Sequence, residues 1–107
     1  MSTRKQQLEE MLLEDPSDSF LRYGLAMEFV SEGNDAEAVK QFQVLLETDP
    51  GYVAGYHQSG LALVRLGRTA EARQMLTTGI AAAERQGNMH AAEEMSGTLR
   101  EGMKDEG

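Results

Sequence analysis

An internal repeat of 34 residues governs how this chain can fold, because Asp15-Pro16 recurs as Asp49-Pro50. The same spacing aligns small, apolar and turn residues with residues of their own kind: Leu12 with Leu46, Ala26 with Gly60, Val30 with Val64, Gly33 with Gly67, and Glu37-Ala38 with Glu71-Ala72. A period in the range of about 20–50 residues is typical of solenoids, in which each unit buries its apolar face against the next.

Each unit has the pattern of a helical hairpin, with apolar residues at helical spacing on both sides of Gly33-Asn34. Gly33 can adopt the left-handed conformation that ends a helix, Asn34 can cap the next helix, and Glu37 stands at the capping-box position. Asp-Pro ends the second helix, because the residue before proline is kept out of the helical region. The sequence predicts six helices, at 3–14, 18–31, 35–48, 53–66, 69–86 and 89–103.

The composition indicates one folded domain. The chain has 107 residues, of which 40% are apolar and 26% are charged, and these are ordinary globular values. Its 18 acidic and 10 basic residues give a net charge of -8, and such a surface repels nucleic acid and anionic lipid. No cysteine is present, which excludes disulfides, thiolate metal ligands and cysteine nucleophiles. We therefore expect neither nucleic acid nor a membrane as a partner.

The N-terminal sequence carries no recognisable secretion signal. Residues 1–7 lead directly into Leu8-Glu9-Glu10, without the apolar stretch that such a signal needs. The longest apolar neighbourhood, at residues 60–64, is far shorter than the roughly 20 residues of a membrane-spanning helix. We therefore expect a cytoplasmic protein.

A 34-residue hairpin with these side chains resembles the tetratricopeptide repeat (TPR), whose pattern is W-x2-L-G-x2-Y, then Ala, x3-F and Pro. The first unit matches at Leu25, Ala26, Phe29, Ala38, Phe42 and Pro50, and the second at Tyr56, Gly60, Leu63, Ala72 and Leu76. Three positions depart from the pattern: Arg22 replaces the aromatic residue, Ser59 the leucine and Glu84 the proline. The resemblance implies an all-α fold, a right-handed α-α superhelix (a TPR-like solenoid) of about six antiparallel helices.

The repeat divides the single domain, residues 1–107, into four parts: an N-terminal half-repeat at 3–16, repeats at 17–50 and 51–86, and a C-terminal capping helix at 87–107. Residues 3–16 match a second helix, since Leu8, Met11 and Pro16 correspond to Phe42, Leu45 and Pro50. The last helix combines an apolar stripe with charged residues elsewhere, as solenoid caps do; the stripe holds Ala92, Met95, Leu99 and Met103. Four small residues are expected where paired helices approach closely: Ala26, Ala38, Gly60 and Ala72.

Residues with the chemistry of a catalytic or metal site are few. The histidines are His57 and His90. His90 has helical spacing to Glu93 and Glu94, but two ligands do not make a metal site, and we interpret His90 as a solvent-exposed residue. No glycine-rich phosphate-binding string is present. The sequence therefore predicts no enzyme, no metal and no cofactor.

The first helix of each repeat has two apolar faces. At about 100° per residue, Leu21, Leu25, Ala26 and Phe29 form one arc, which we assign to the hairpin core. The other arc faces the concave surface that the resemblance implies. The predicted groove residues are Phe20, Tyr23, Met27, Val30, Ala54, His57, Leu61, Val64 and Arg65. The sequence leaves open whether the last helix covers them.

These observations favour a protein-interaction module that binds a partner segment in its concave groove. Family members that hold a C-terminal carboxylate do so with lysine and asparagine, whereas the matching positions here are Tyr23, Met27, His57 and Leu61. The expected partner is therefore an amphipathic helix or an extended apolar segment of another protein. The alternative is a homo-oligomer, such as a homodimer, that assembles through the same apolar surface or through the methionine-rich last helix.

Overall fold

The computed structural model describes residues 2–102, and this part of the chain consists of six α-helices. They are α1 (Arg4–Glu14), α2 (Ser19–Ser31), α3 (Asp35–Thr48), α4 (Val53–Arg65), α5 (Thr69–Arg85) and α6 (Met89–Gly102). Each helix packs on the next one in the chain, and α4 also contacts α6. The molecule is therefore elongated, with dimensions of 47 × 29 × 19 Å along its principal axes. The predicted helices agree with the observed ones to within one residue; Met103 lies outside the described residues.

The turns that follow α2, α4 and α5 are specified by glycine. Gly33, Gly67 and Gly87 have φ angles of 76°, 76° and 73°, the left-handed region that favours glycine. The turn at Gly33 continues into a cap on α3, where the Asn34 side chain accepts a hydrogen bond from the Glu37 amide at 3.3 Å. The capping-box role predicted for Glu37 is wrong. The Asn34 amide already donates to the Phe29 carbonyl at 2.9 Å, so the Glu37 carboxylate faces Lys40 instead.

The two Asp-Pro turns are each held by a side chain from the following helix. Arg22 donates from Nη2 to the Pro16 carbonyl at 3.0 Å, and the Tyr56 hydroxyl donates to the Pro50 carbonyl at 2.7 Å. Arg22 and Tyr56 are 34 residues apart. The arginine that departs from the repeat pattern therefore fulfils the same structural role as the aromatic residue.

Small residues allow the helices to approach closely, as predicted. Ala26, Ala38 and Ala72 have no exposed surface, and a Cβ added to Gly60 would lie 2.5 Å from the Leu76 Cδ2. A further close contact, which the repeat pattern does not indicate, is at Gly79 on α5. There an added Cβ would lie 2.5 Å from the Tyr56 Cβ and 2.7 Å from the Met95 Sδ. Gly79 therefore joins α4, α5 and α6.

The outer face of α1 is more exposed to solvent than the same face of α3, the second helix of the first repeat. Leu8 and Leu12 are buried against Leu25, but Met11, which was expected to correspond to the buried Leu45, is 45% exposed. Met11 is exposed because no described helix lies over that face of α1.

Two ion pairs hold the start of α1 to α2. The Arg4 Nε lies 2.7 Å from the Glu28 Oε1, and the Lys5 Nζ lies 3.0 Å from the Glu32 Oε2. The Lys5 ammonium also lies 4.9 Å from the centre of the Phe29 ring. These contacts place cations over the N-terminal end of the apolar core.

Helix α6 covers the other end of the core. Ala92 and Met95 are buried and Leu99 packs beside them, in the cluster that α4 and α5 form, while Glu93 and Arg100 are exposed. Met95 is thus a core residue. It does not belong to the cluster on which Met27 packs. The division of the chain into a half-repeat, two repeats and a cap remains a prediction.

A candidate interaction surface on the first helices

The nine predicted groove residues lie on α2 and α4, and none of them is fully buried. Phe20, Ala54 and Arg65 are exposed. The other six are half-buried: Tyr23, Met27, Val30, His57, Leu61 and Val64. The surface is therefore partly open, and its two halves, on α2 and on α4, differ in how far they are covered.

On α2, Tyr23 is anchored between other aromatic rings. Its ring centre lies 6.0 Å from that of Phe42 and 5.3 Å from that of Tyr52. Burial, with a smaller contribution from Tyr52, raises the pKa of Tyr23, so its hydroxyl is neutral at physiological pH. Met27 and Val30 pack on the same cluster, and each presents its remaining surface to solvent.

A cavity of about 250 Å³ lies between α1 and α2, and we name it the α1–α2 cavity. Phe20, Tyr23 and Met27 line it together with Arg4 and Leu8 of α1. The remaining lining residues are Gly24, Glu28 and Ser31. The structure thus brings three predicted residues together with two that the repeat pattern did not indicate. The cavity combines apolar side chains with the Arg4–Glu28 ion pair.

The α4 half of the surface is bordered by α6. The His57 Nε2 lies 3.0 Å from the Thr98 Oγ1, and that hydroxyl donates to the Glu94 carbonyl at 3.1 Å. This contact ties the His57 side chain to α6. Val64 lies beside Gly102, where an added Cβ would be 3.5 Å from the Val64 Cγ2.

Arg65 is exposed, but its guanidinium is engaged. Its Nε and Nη2 donate to the two carboxylate oxygens of Asp35 at 2.9 and 2.8 Å. These hydrogen bonds lower the pKa of Asp35 and raise the pKa of Arg65. Arg65 therefore links α4 to the start of α3.

Residues 2–102 contain no group of three or more histidine, aspartate or glutamate side chains that could hold a metal ion. His90 is 84% exposed and lies 3.3 Å from Glu94. No helix in the described part of the chain is sufficiently long and apolar to span a membrane.

The order of the helices and the repeated hairpins are those of a helical-repeat solenoid. No family model matches the chain. A curated protein, the TPR repeat-containing protein PA0015 of Pseudomonas aeruginosa, is 36% identical over 93 residues, which cover 87% of this chain and 89% of that protein. The chain belongs to the tetratricopeptide repeat family, which confirms the resemblance.

Solved structures agree with this assignment. The solution structure of a tetratricopeptide repeat domain protein from Salinibacter ruber is 33% identical, with a TM-score of 0.78 over 84% of this chain and 91% of that one. Protein BPP2914 from Bordetella parapertussis is 27% identical, with a TM-score of 0.85 over 98% of this chain and 91% of that one. The TPR2B domain of yeast Sti1, in a complex with pHsp70, is 19% identical, with a TM-score of 0.88 over 94% of this chain and 80% of that one, and shows the fold alone. The predicted all-α solenoid is thereby confirmed.

Proposed function

We propose that this chain is a protein-interaction module that binds a peptide or a helical segment of a partner protein along α2 and α4, and that it acts without catalysis. The observation that carries the proposal is Phe20, which is 74% exposed while it lines the α1–α2 cavity beside Tyr23 and Met27. Exposed aromatic residues next to an apolar cavity are typical of binding surfaces.

The cavity is suited to an apolar side chain of the partner. The rings that pack against Tyr23 hold it in place, so it offers a rigid wall, and this lowers the entropy lost on binding. Met27 is flexible and polarisable, and can adapt to partners of different shape. A side chain inserted here would contact both residues and the ring of Phe20.

The charges at this surface favour an apolar partner segment. Arg4 is paired with Glu28, and Arg65 with Asp35, so neither arginine offers a bare cation to a carboxylate. The partner we propose is an amphipathic helix or an extended apolar segment. The Sti1 domain in its complex with pHsp70 illustrates that this fold can present a surface to another protein. A cytoplasmic location is part of the proposal.

The test compares two substitutions of equally accessible apolar residues. Phe20→Glu places a charge in the proposed surface, whereas Leu13→Glu places one on α1, where Leu13 is 84% exposed. Neither residue is in the core, so both variants should fold, which circular dichroism checks. Proteins captured by the immobilised wild type should be lost with Phe20→Glu and retained with Leu13→Glu. Equal capture by both variants would contradict the proposal.

Self-assembly through the same surface is the second candidate function, and the exposure of Phe20 on it favours this candidate. The last helix offers less apolar surface than expected, because Met95 is buried. Light scattering over a dilution series measures the molar mass and so tests this candidate. A dimer that Phe20→Glu dissociates would support assembly through this surface, and a monomer at every concentration would exclude it.

A further inference from the structure

We infer that the chain has a second docking site, between α3 and α5, and that this site takes a protein segment in which a large apolar side chain lies next to a lysine or arginine. The site is a cavity of about 410 Å³, which we name the α3–α5 groove. Its volume lies within the range of about 300–1,000 Å³ that is typical of ligand-binding pockets.

The α3–α5 groove is separate from the surface proposed above. Its floor is apolar, formed by Leu46 of α3, Tyr56 and Leu63 of α4 and Met75 of α5. At about 100° per residue, Tyr56 and Leu63 point on average roughly 140° away from the predicted groove residues of α4. The two sites therefore use different sides of α4, and the groove has no lining residue from α1 or α2.

Ser59 does not line the groove, but it lies on the same side of α4 as two residues that do, and its side chain is unusual for a buried position. It follows Tyr56 by three residues and precedes Leu63 by four, so the three share one face of the helix. Ser59 has no exposed surface, and its hydroxyl has no hydrogen-bond partner. A buried hydroxyl without a partner destabilises the folded state.

The first repeat shows what usually fills this place. The residue equivalent to Ser59 is Leu25, which is buried against Leu8 and Leu12 of the preceding helix. A serine at the same position lacks the apolar contacts that a leucine would make, and it adds a polar atom without a hydrogen-bond partner. Local losses of stability of this kind are expected where a site serves a function. We therefore relate Ser59 to the groove that its helix neighbours Tyr56 and Leu63 line.

The charges that line the groove define the occupant. The charged lining residues are Glu47 of α3 and Glu71 of α5, and no lysine or arginine of the described residues is among them. Glu71 is already bonded to Arg68, so Glu47, which is exposed, is the carboxylate we assign to the cation. The Gln43 and Gln74 amides also line the groove, and they can donate to and accept from a peptide backbone.

The equivalent cavity between α1 and α3 has different chemistry. Arg22 lines it, at the position that Tyr56 occupies in the second repeat. Glu9 lines it as well, so a cation and a carboxylate lie together there, whereas the lining of the α3–α5 groove includes carboxylates and, among the described residues, no cation. The α3–α5 groove is therefore the better match for a basic segment.

The probe is a display library of random 12-residue peptides, selected on the wild-type protein. The enriched peptides should combine a large apolar residue with a lysine or arginine within two positions. Their affinity should fall at least tenfold for Ser59→Leu, which adds bulk between Tyr56 and Leu63 on their side of α4, and for Glu47→Lys, which reverses the charge of an exposed residue and leaves the core intact. Phe20→Glu is the control, and it should bind these peptides as the wild type does.

Methionine methyl groups report which site is occupied. In protein labelled with ¹³C at the methionine methyls, the enriched peptides should shift the NMR signal of Met75, which lines the groove, and not that of Met27. Peptides that shift Met27 alone and lose affinity in Phe20→Glu would overturn this inference and support the proposed function. A selection that enriches no peptide, peptides without a basic residue, or unchanged binding to both Ser59→Leu and Glu47→Lys would also overturn it.

Discussion

Gly79 provides the sharpest test of how closely the helices pack. In Gly79→Ala the new Cβ would lie 2.5 Å from the Tyr56 Cβ and 2.7 Å from the Met95 Sδ. The Tyr56 Cβ is fixed to its backbone, so α4 and α5 must move apart. Overpacking costs about 1–3 kcal/mol, and two such short contacts place this site in the upper half of that range. Alanine returns about 1 kcal/mol of helix propensity, so the free energy of unfolding should fall by about 1–2 kcal/mol.

The matched control is Gly97→Ala, the same substitution in α6. Its Cβ would meet only the Arg100 Nη2, at 3.9 Å, so the gain in helix propensity should dominate and raise the free energy of unfolding by up to about 1 kcal/mol. Urea unfolding followed by far-ultraviolet circular dichroism measures both variants. The expected difference between them is about 1–3 kcal/mol. Equal midpoints and slopes for the two variants would refute the close contact at Gly79.

Three further substitutions test other contacts by the same unfolding measurement. Ser59→Ala should raise the free energy of unfolding by about 1 kcal/mol, because it removes a buried hydroxyl without a partner; a decrease would show that the hydroxyl is bonded. Asp35→Asn should lower the free energy of unfolding by about 0.5 kcal/mol at neutral pH, because it removes an ion pair that solvent weakens where Arg65 is exposed. The hydrogen bonds from Arg65 lower the pKa of Asp35 in the folded state, so this stabilisation is present above the unfolded pKa of about 3.9 and is lost as the pH falls through the folded pKa. The two proteins should therefore converge in acid, and a constant difference would contradict the pairing. Arg22→Tyr should change stability by less than about 0.5 kcal/mol, whereas Arg22→Ala should cost about 1 kcal/mol, because only the alanine leaves the Pro16 carbonyl without its donor; equal losses would argue against that role.

The helices could be predicted from the sequence because their ends are encoded locally. Gly33 and Gly67 supply positive φ angles, and aspartate before proline ends α1 and α3. The capping interactions were less predictable. The residue pattern predicts a capping box at Glu37, whereas the box forms at Thr3 and Gln6 on α1. The competing hydrogen bond from the Asn34 amide depends on turn geometry, which residue types do not specify.

The candidate site was harder to predict than the fold, because its openness depends on contacts between distant parts of the chain. Helical periodicity placed Phe20 and Tyr23 on one face of α2, and both line the α1–α2 cavity. Periodicity could not show that Arg4 contributes to the same cavity. The bond between His57 and Thr98, 41 residues apart, likewise has no signal in the repeat pattern. That these residues bind a partner remains a prediction.

The two Asp-Pro turns indicate what a family pattern records and what it omits. A guanidinium reaches the Pro16 carbonyl and a phenol reaches the Pro50 carbonyl, so a long donor satisfies the turn in both places, whatever its chemical identity. A comparison by residue type then registers a mismatch at a position where the architecture has lost nothing.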